Sequence, residues 1–411
     1  MKSDELPHVF PTLAVLLLTA ATCAGCVSLS RNNPALPRSF ALSNADSTDL
    51  AHRLLIESQA HQNMSGFHII EAGVDGLALR VQMVRNAQRT LDVQYFIFRG
   101  DETGSVFAQE LRNAADRGVR VRVLVDDGDT VKGDERILAL DGYRDAHVRV
   151  FNPFDYRNHN LLLRNIDFVL HKSRLDYRMH NKLLVADNAV ALIGGRNVGN
   201  QYFQLDPASQ FADDDVFVGG PTVQTLSHAF DDFWNSDRVV AGTVLSKHET
   251  AEHFEPPTKL ADGAGIDLLA RIASGQPYAS LVSQPAQLTW AAAQVVYDAP
   301  DKDKVVHHEL RGRLMSQTLE KQFAAAQSDV VMVTPYFVPS EREIAQLHEL
   351  RQKGAEVRAL SNSLESAPDL AAQSGYSKLR SPLLADGVHL YELRSRPDSV
   401  RGSGETRQIS R

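Results

Sequence analysis

The stretch Met179-His180-Asn181-Lys182-Leu183-Leu184-Val185-Ala186-Asp187, followed after six residues by Gly194-Gly195-Arg196-Asn197, decides how the chain is read. Taken as an extended strand, it puts His180 and Lys182 on one face, because strand side chains alternate with period two. Leu183 and Val185 then face a core on the other side. Asp187-Asn188 reads as a turn, and Ala189 to Ile193 as the strand that returns beside the first. Gly194-Gly195 frees the backbone to bend close to whatever His180 and Lys182 hold, and Asn197 adds an amide.

These side chains suit a phosphodiester. Lys182 and Asn197 can stabilise its non-bridging oxygens, more strongly as charge builds in the transition state. A neutral imidazole attacks phosphorus near neutral pH and can form a covalent phosphohistidine. A carboxylate such as Asp187 can orient a catalytic histidine, although its place in the sequence suits support of its own turn better. In-line displacement also needs a general acid opposite the nucleophile, and one His-x-Lys supplies half of that arrangement.

Outward from this stretch the chain reads as α/β. Helices are expected over 49–62, 75–88 and 104–117, the last stopped by Gly118, with strands over 66–70, 91–98, 119–125 and 148–151. The rhythm returns about 240 residues later. Val330 to Phe337 matches the strand ending in Tyr95-Phe96, a helix over 341–353 stops at Gly354, and Val357 to Leu360 and Val388 to Tyr391 follow as strands. A duplicated fold of two α/β/α sandwich halves with mixed central sheets is therefore expected. The expected division is a leader over 1–26, a tether and leading helix over 27–65, and a first half over 66–239. A connecting segment over 240–304, draped over the core, leads into the second half over 305–411.

The chain has 411 residues, 43% hydrophobic and 23% charged, so it can bury two cores of ordinary size. Its net charge is 43 − 51 = −8, which disfavours a nucleic-acid partner. Cys23 and Cys26 are the only cysteines, so the body forms no internal disulfide and no cysteine metal site. Val9 to Ala24 is apolar or small, the length of a signal-peptide core rather than of a bilayer span. It ends in Ala24-Gly25-Cys26, which resembles the lipobox of bacterial lipoproteins, with Cys26 lipidated. An uncleaved anchor or a plain cleaved signal are the alternatives. Each places the body against a membrane or beyond it, as an envelope protein facing the periplasm.

The spacing His-x-Lys-(x)4-Asp-(x)6-Gly-(x)2-Asn resembles the signature of the phospholipase D superfamily. By residue frequencies the whole set arises by chance on the order of once in 10⁵ such chains. Asp92-Val93-Gln94-Tyr95, Ala115 to Arg122, Phe211 to Val218, Thr334 to Pro339 and Gly375-Tyr376-Ser377-Lys378 are similar to its bacterial cardiolipin-synthase branch. The resemblance covers roughly residues 66–405. It implies transfer of a phosphatidyl group between lipids, or its hydrolysis, through a phosphohistidine and without metal or other cofactor. Carried over, His180 is the nucleophile, Lys182 and Asn197 bind phosphate, Asp187 supports the site, and Gly194 and Gly195 shape it. The implied partners are a phospholipid substrate and a membrane surface; oligomeric state is left open.

Other polar clusters carry blander readings. His68, His147 and His389 read as satisfied polar groups, and Asp126-Asp127-Gly128-Asp129 as carboxylates on a solvated loop rather than a metal site. Asp213-Asp214-Asp215 reads as structural, with support of the site as the alternative, and Tyr95 as packing. Arg394, Arg396, Arg401, Arg407 and Arg411 read as a basic tail rather than a lipid-attracting patch. The first half runs 29 residues from Phe151 to His180; the same count from Tyr391 reaches about residue 420, and no histidine follows His389. The sequence is thus expected to stop before a second His-x-Lys motif. Three readings follow: a truncated two-motif phosphatidyltransferase, a pair of chains each giving one His180, or an inactive lipid-associated protein. A nuclease on the same fold is disfavoured by the acidic charge and the leader.

Overall fold

The computed structural model describes residues 35–43, 48–128, 135–155, 157, 161–206, 210–245, 268–309, 314–367, 370–393 and 407–409. The expected leader with Cys26 lies outside them, as do Asp129, Arg394, Arg396, Arg401 and Arg411.

The first half is built on a nine-stranded mixed sheet. Its members are β1 (Ser65–Ile70), β2 (Thr90–Tyr95), β3 (Arg120–Asp126), β4 (Ala146–Phe151), β5 (Leu183–Ala186), β6 (Val190–Gly194), β8 (Asp215–Gly219), β9 (Val239–Ala241) and β10 (Thr289–Ala291), while β7 (Gln210–Ala212) stands outside it. The order is β10-β1-β8-β6-β5-β2-β3-β4-β9, with β2, β3 and β4 parallel and the remaining pairs antiparallel. Strands β2 and β3 are buried almost throughout because both faces of the sheet are covered, yet they alternate apolar residues with the buried polar Asp92, Gln94 and Arg122. On one face α2 (Gly73–Asn86) and α3 (Glu102–Asp116), which follow α1 (Asp49–Ala60), pack Leu79, Val84, Phe107 and Leu111 against Val93, Val121, Val123 and Val150. On the other, α4 (Thr222–Trp234) presses Val223, Phe230, Phe233 and Trp234 onto Leu124, Leu183, Val185 and Val218. Burial of each such side chain is worth roughly 1.5–3 kcal/mol.

The second half repeats the parallel unit. Strands β11 (Asp329–Val333), β12 (Glu356–Asn362) and β13 (His389–Leu393) form a parallel sheet with α5 (Glu341–Gln352) and α6 (Leu370–Ala385) between them. Gly118 and Gly354 both end their helices at φ +85° and +86°, a conformation that favours glycine, as the repeat predicts. One face of this sheet packs Val330, Val357 and Ala359 against Leu347, Leu350 and Leu383. The other leaves Val331, Val333 and Tyr391 exposed. The expected mixed character is seen in the first sheet; the described strands of the second are all parallel.

Two expectations for the flanking chain change. Part of the tether is clasped rather than free: Arg122 and Arg149 donate to the Ser39 and Pro37 carbonyls, and the Trp234 indole donates to Ser39 Oγ at 2.8 Å. The connecting segment joins the sheet at both ends, β9 extending β4 and β10 extending β1.

Candidate active site

The hairpin forms as the sequence predicts, but starts later. Asp187 and Asn188 hold φ of 55° and 51°, the two positive values of a tight hairpin turn that Asx residues tolerate. Strand β5 begins only at Leu183, so His180 and Lys182 lie on the extended segment that leads into it. Two buried side chains, Asp126 and Gln94, hold that segment. Asp126 Oδ2 accepts from Met179 N at 2.8 Å, and Asp126 Oδ1 accepts from Arg178 Nε at 2.7 Å. Gln94 Nε2 lies 2.9 Å from Met179 Sδ. His180 is thereby presented at the C-terminal end of β2 and β3, where open α/β sheets gather ligands.

Lys182 folds back onto His180. Its Nζ donates to the His180 carbonyl at 2.8 Å and lies 3.0 Å from Nδ1 and 3.3 Å from Nε2. The imidazole also tilts against the Phe96 ring, centroids 4.6 Å apart. Loss of hydration, the Lys182 ammonium and the Lys302 ammonium together push the His180 pKa down to about 3, so the ring is neutral at any physiological pH. Its exposure is to the cavity, whose walls replace much of the bulk water around it. Burial likewise lowers Lys182 to about 7, opposed by Asp213 and Asp126.

The cavity holds about 800 Å³ and is lined by both halves. The first half contributes His180, Lys182, Gly194, Gly195, Arg196 and Asp213, and the second Val333, Pro335, Tyr336, Leu360 and Leu393, from the C-terminal ends of its strands. The glycines shape it through close approach: a Cβ on Gly195 would overlap the Asp213 carboxylate, and one on Gly194 would overlap Asp214 and Asp215. Beneath them lies a buried ion cluster. Arg80 clamps Asp215 with two hydrogen bonds of 2.7 and 2.9 Å, Arg196 adds a third at 3.1 Å, and Arg80 Nε donates to Tyr95 Oη at 2.9 Å. Arg196 also donates to the carbonyls of Ile70, Glu71 and Asp213, fixing the cavity rim.

The structure separates the residues that the motif groups. His180, Lys182, Gly194 and Gly195 meet at the cavity. Asp187, expected among the catalytic residues, does not. The hairpin strand carries it to the opposite end of β2, roughly 20 Å of extended chain from His180. There its carboxylate accepts from the backbone N–H of Gln88, Arg89 and Thr90 at 2.7–2.9 Å. Asn197, expected to bind phosphate, is fully buried and off the cavity wall. Its Oδ1 accepts from Ile97 N and its Nδ2 donates to Tyr202 Oη, both at 3.0 Å, so the amide braces the loop after β2.

Other groups escaped the sequence reading. Asp126 and Asp127 are fully buried anchors, not solvated carboxylates; Asp127 accepts from Phe154 N and Arg157 Nε. An Asp-Asp at a strand end reads alike in both cases, and only the distant arginines distinguish them. Asp213 lines the cavity, and burial raises its pKa to about 6 against the pull of Arg196 and Lys182. Lys302 comes from the connecting segment and carried no local signal. Tyr95, read as packing, is buried against Phe107.

Comparison with known proteins follows the same lines. Residues 81–234 match the family described as cardiolipin synthase, phospholipase D-like domain. Cardiolipin synthase C of Escherichia coli strain K12 is 34% identical over 349 residues, covering 84% of this chain and 72% of that protein. A probable cardiolipin synthase of Bacillus subtilis strain 168 is 24% identical over 336 residues, covering 81% of this chain and 56% of that one. The fold is shared with the crystal structure of phosphatidylserine synthase from Haemophilus influenzae, at a TM-score of 0.53 and 12% identity over 87% of this chain and 79% of that one. The chain belongs to the phospholipase D superfamily, in its cardiolipin-synthase-like branch.

Proposed function

We propose that the site transfers phosphatidyl groups through a covalent intermediate on His180. The observation that carries this reading is the pairing of a neutral imidazole with a partly desolvated ammonium at 3.0 Å, both open to one cavity. A ring nitrogen of His180 attacks phosphorus, and the bond to the donor's head-group oxygen breaks. That oxygen leaves with a proton taken from solvent, and phosphatidyl-histidine remains. The oxygen of an acceptor alcohol or water then attacks phosphorus and gives up its proton to solvent, and the phosphorus–nitrogen bond breaks to restore the imidazole. Lys182 holds the non-bridging oxygens as negative charge builds, and a bound phosphate anion in turn favours its protonated form. Asp213 balances Lys182 while the site is empty. No helix among the described residues is long and apolar enough to cross a membrane. In this reading the phospholipid reaches the cavity from a membrane surface. Cys26 as a lipidated anchor belongs to the same reading.

One observation favours a second reading, a protein that binds phospholipid without turning it over. Among the described residues, the wall given by the second half offers Val333, Pro335, Tyr336, Leu360 and Leu393, with no histidine or carboxylate to protonate a leaving oxygen. Incubation of the full chain with phospholipid labelled in its phosphate separates the two. Transfer predicts an acid-labile, base-stable label on the wild type that is absent from His180→Asn. An unlabelled wild type would leave only the binding reading.

A further inference from the structure

We propose that Phe96, the first residue after β2, is a positioning residue of this site, its ring seating both the His180 imidazole and the Lys182 ammonium. The proposal rests on His180 as the nucleophile and names what aims it. A catalytic imidazole must hold one ring nitrogen towards phosphorus, and a carboxylate bonded to the other nitrogen commonly fixes it. Here, among the described residues, the ring nitrogens of His180 meet only Lys182 Nζ, at 3.0 and 3.3 Å, and no carboxylate accepts from them. What touches the imidazole instead is Phe96, its ring centroid 4.6 Å away and its plane inclined by 47°. Lys182 Nζ lies 5.4 Å from the centroid of the same ring, within reach of its negative face. One aromatic ring thus contacts both members of the His-x-Lys pair.

The ring is itself held. Asn197 Oδ1 accepts from the N–H of the next residue, Ile97, at 3.0 Å, and the Val198 N–H donates to the Ile97 carbonyl at 3.1 Å. At the ring edge the Gly128 backbone comes so close that a Cβ there would lie 2.7 Å from Phe96 Cε2. The Gly128 N–H donates to Asp126 Oδ1 at 2.6 Å, and Asp126 also holds Arg178 and Met179. Phe96 is wedged between the turn after β3 and the nucleophile that the same turn presents. Packing alone would be served by leucine. An aromatic ring adds a quadrupole that favours the charged form of Lys182, whereas an aliphatic side chain only excludes water. The charged groups around that ammonium are Asp126 at the end of β3, Asp213, and Glu71, Arg196 and Asp214 on the cavity wall. His180 lies beside it, and Lys302 acts on His180. None of these changes when the ring alone is altered.

Replacing Phe96 in the full chain by para-fluoro- and by trifluorophenylalanine drains the negative face of the ring at nearly constant volume. The ε-carbon resonance of Lys182 in carbon-13 lysine protein, assigned by its loss in Lys182→Arg, reads the titration with or without turnover. Its midpoint is expected to fall by about 0.5 pH unit in the trifluoro variant, with the monofluoro variant between. The alkaline limb of lipid labelling should move with it, lowering the rate about threefold at pH 8. Phe96→Leu at pH 5.5 should lower the maximal labelling rate at least about tenfold and leave the half-saturating lipid concentration within about twofold, because aim is lost rather than binding. A ring that only packs would leave the Lys182 midpoint fixed, so a midpoint constant to about 0.1 pH unit across the fluorine series overturns the proposal. So does a Phe96→Leu chain that labels at the wild-type rate. Should Phe96→Leu fail to fold, the fluorinated pair still decides. A wild type that takes no label defeats the transferase reading instead, while the lysine titration still judges the seat of Lys182 on Phe96.

Discussion

Arg122 in the first half and Arg358 in the second occupy the same place in the repeat, four residues after the glycine that stops the preceding helix. In register, Arg122 sits beside Asp92 and Arg358 beside Val331. Their surroundings are opposite. Arg122 is fully buried, forked onto Asp92 at 2.7 and 2.8 Å, paired with Asp231 at 2.8 Å, and lies 4.8 Å from the Phe230 ring centroid. Arg358 is only half-buried and pairs with Asp329 at the sheet margin. Helix α4 makes the difference. It covers one face of the first sheet and supplies Asp231, Phe230 and Trp234, whereas among the described residues nothing comparable covers Val331, Val333 and Tyr391. A repeat of sequence does not enforce a repeat of environment; the layer packed on the sheet decides it.

The sharpest way to break this contrast is to ask which half carries the chemistry. His180→Asn is expected to lower lipid labelling by about 10³-fold or more, whereas His389→Asn, on the exposed strand β13, should change it by less than about twofold. Comparable losses from both would erase the asymmetry. Stability separates the halves next. Arg122→Met leaves two carboxylates buried without their partner and should cost about 3–5 kcal/mol in urea unfolding. Arg358→Met should leave the midpoint unchanged, because solvent screens its pair.

Two smaller effects sharpen the picture within the first half. Lys182 must be protonated to hold phosphate, and its pKa is lowered to about 7 by burial. Labelling at limiting lipid should therefore be full below pH 7 and fall about tenfold per unit above it; Lys182→Arg should remove that limb. A flat profile to pH 9 would show that the ammonium is not the acidic form required. His180, pressed down to about 3, should add no limb between pH 5 and 8. Smallest is Asp187→Asn, which weakens the acceptor for three backbone amides. It should cost about 1–3 kcal/mol of stability while the folded fraction labels at the wild-type rate.

The elements around the site were legible because their signals are local. The helix stops at Gly118 and Gly354, the turn at Asp187-Asn188 and the alternating patterns of β2 and β3 each sit within a few residues of their cause. The role of Asn197 was not, and that of Asp187 was legible only as structural support, without the backbone amides of residues 88–90 that it holds. Motif spacing records that residues recur together, and it does not distinguish a side chain in the cavity from one that braces the loop beside it. The helix Leu161–Leu170 went unread for a related reason: only the distant partners of Arg164 and the burial of Asp167 show which side is held against the protein.

The sequence by itself determined the family, the duplicated α/β rhythm and the pairing of His180 with Lys182, since each rests on spacing along the chain. Tertiary structure alone decided the rest. It buried Asp126 and Asp127 against arginines 30 and more residues away, brought Lys302 towards His180, and closed one cavity with strand ends from both halves. Desolvation and charge at such distances depend on which surfaces meet, and no local pattern encodes that.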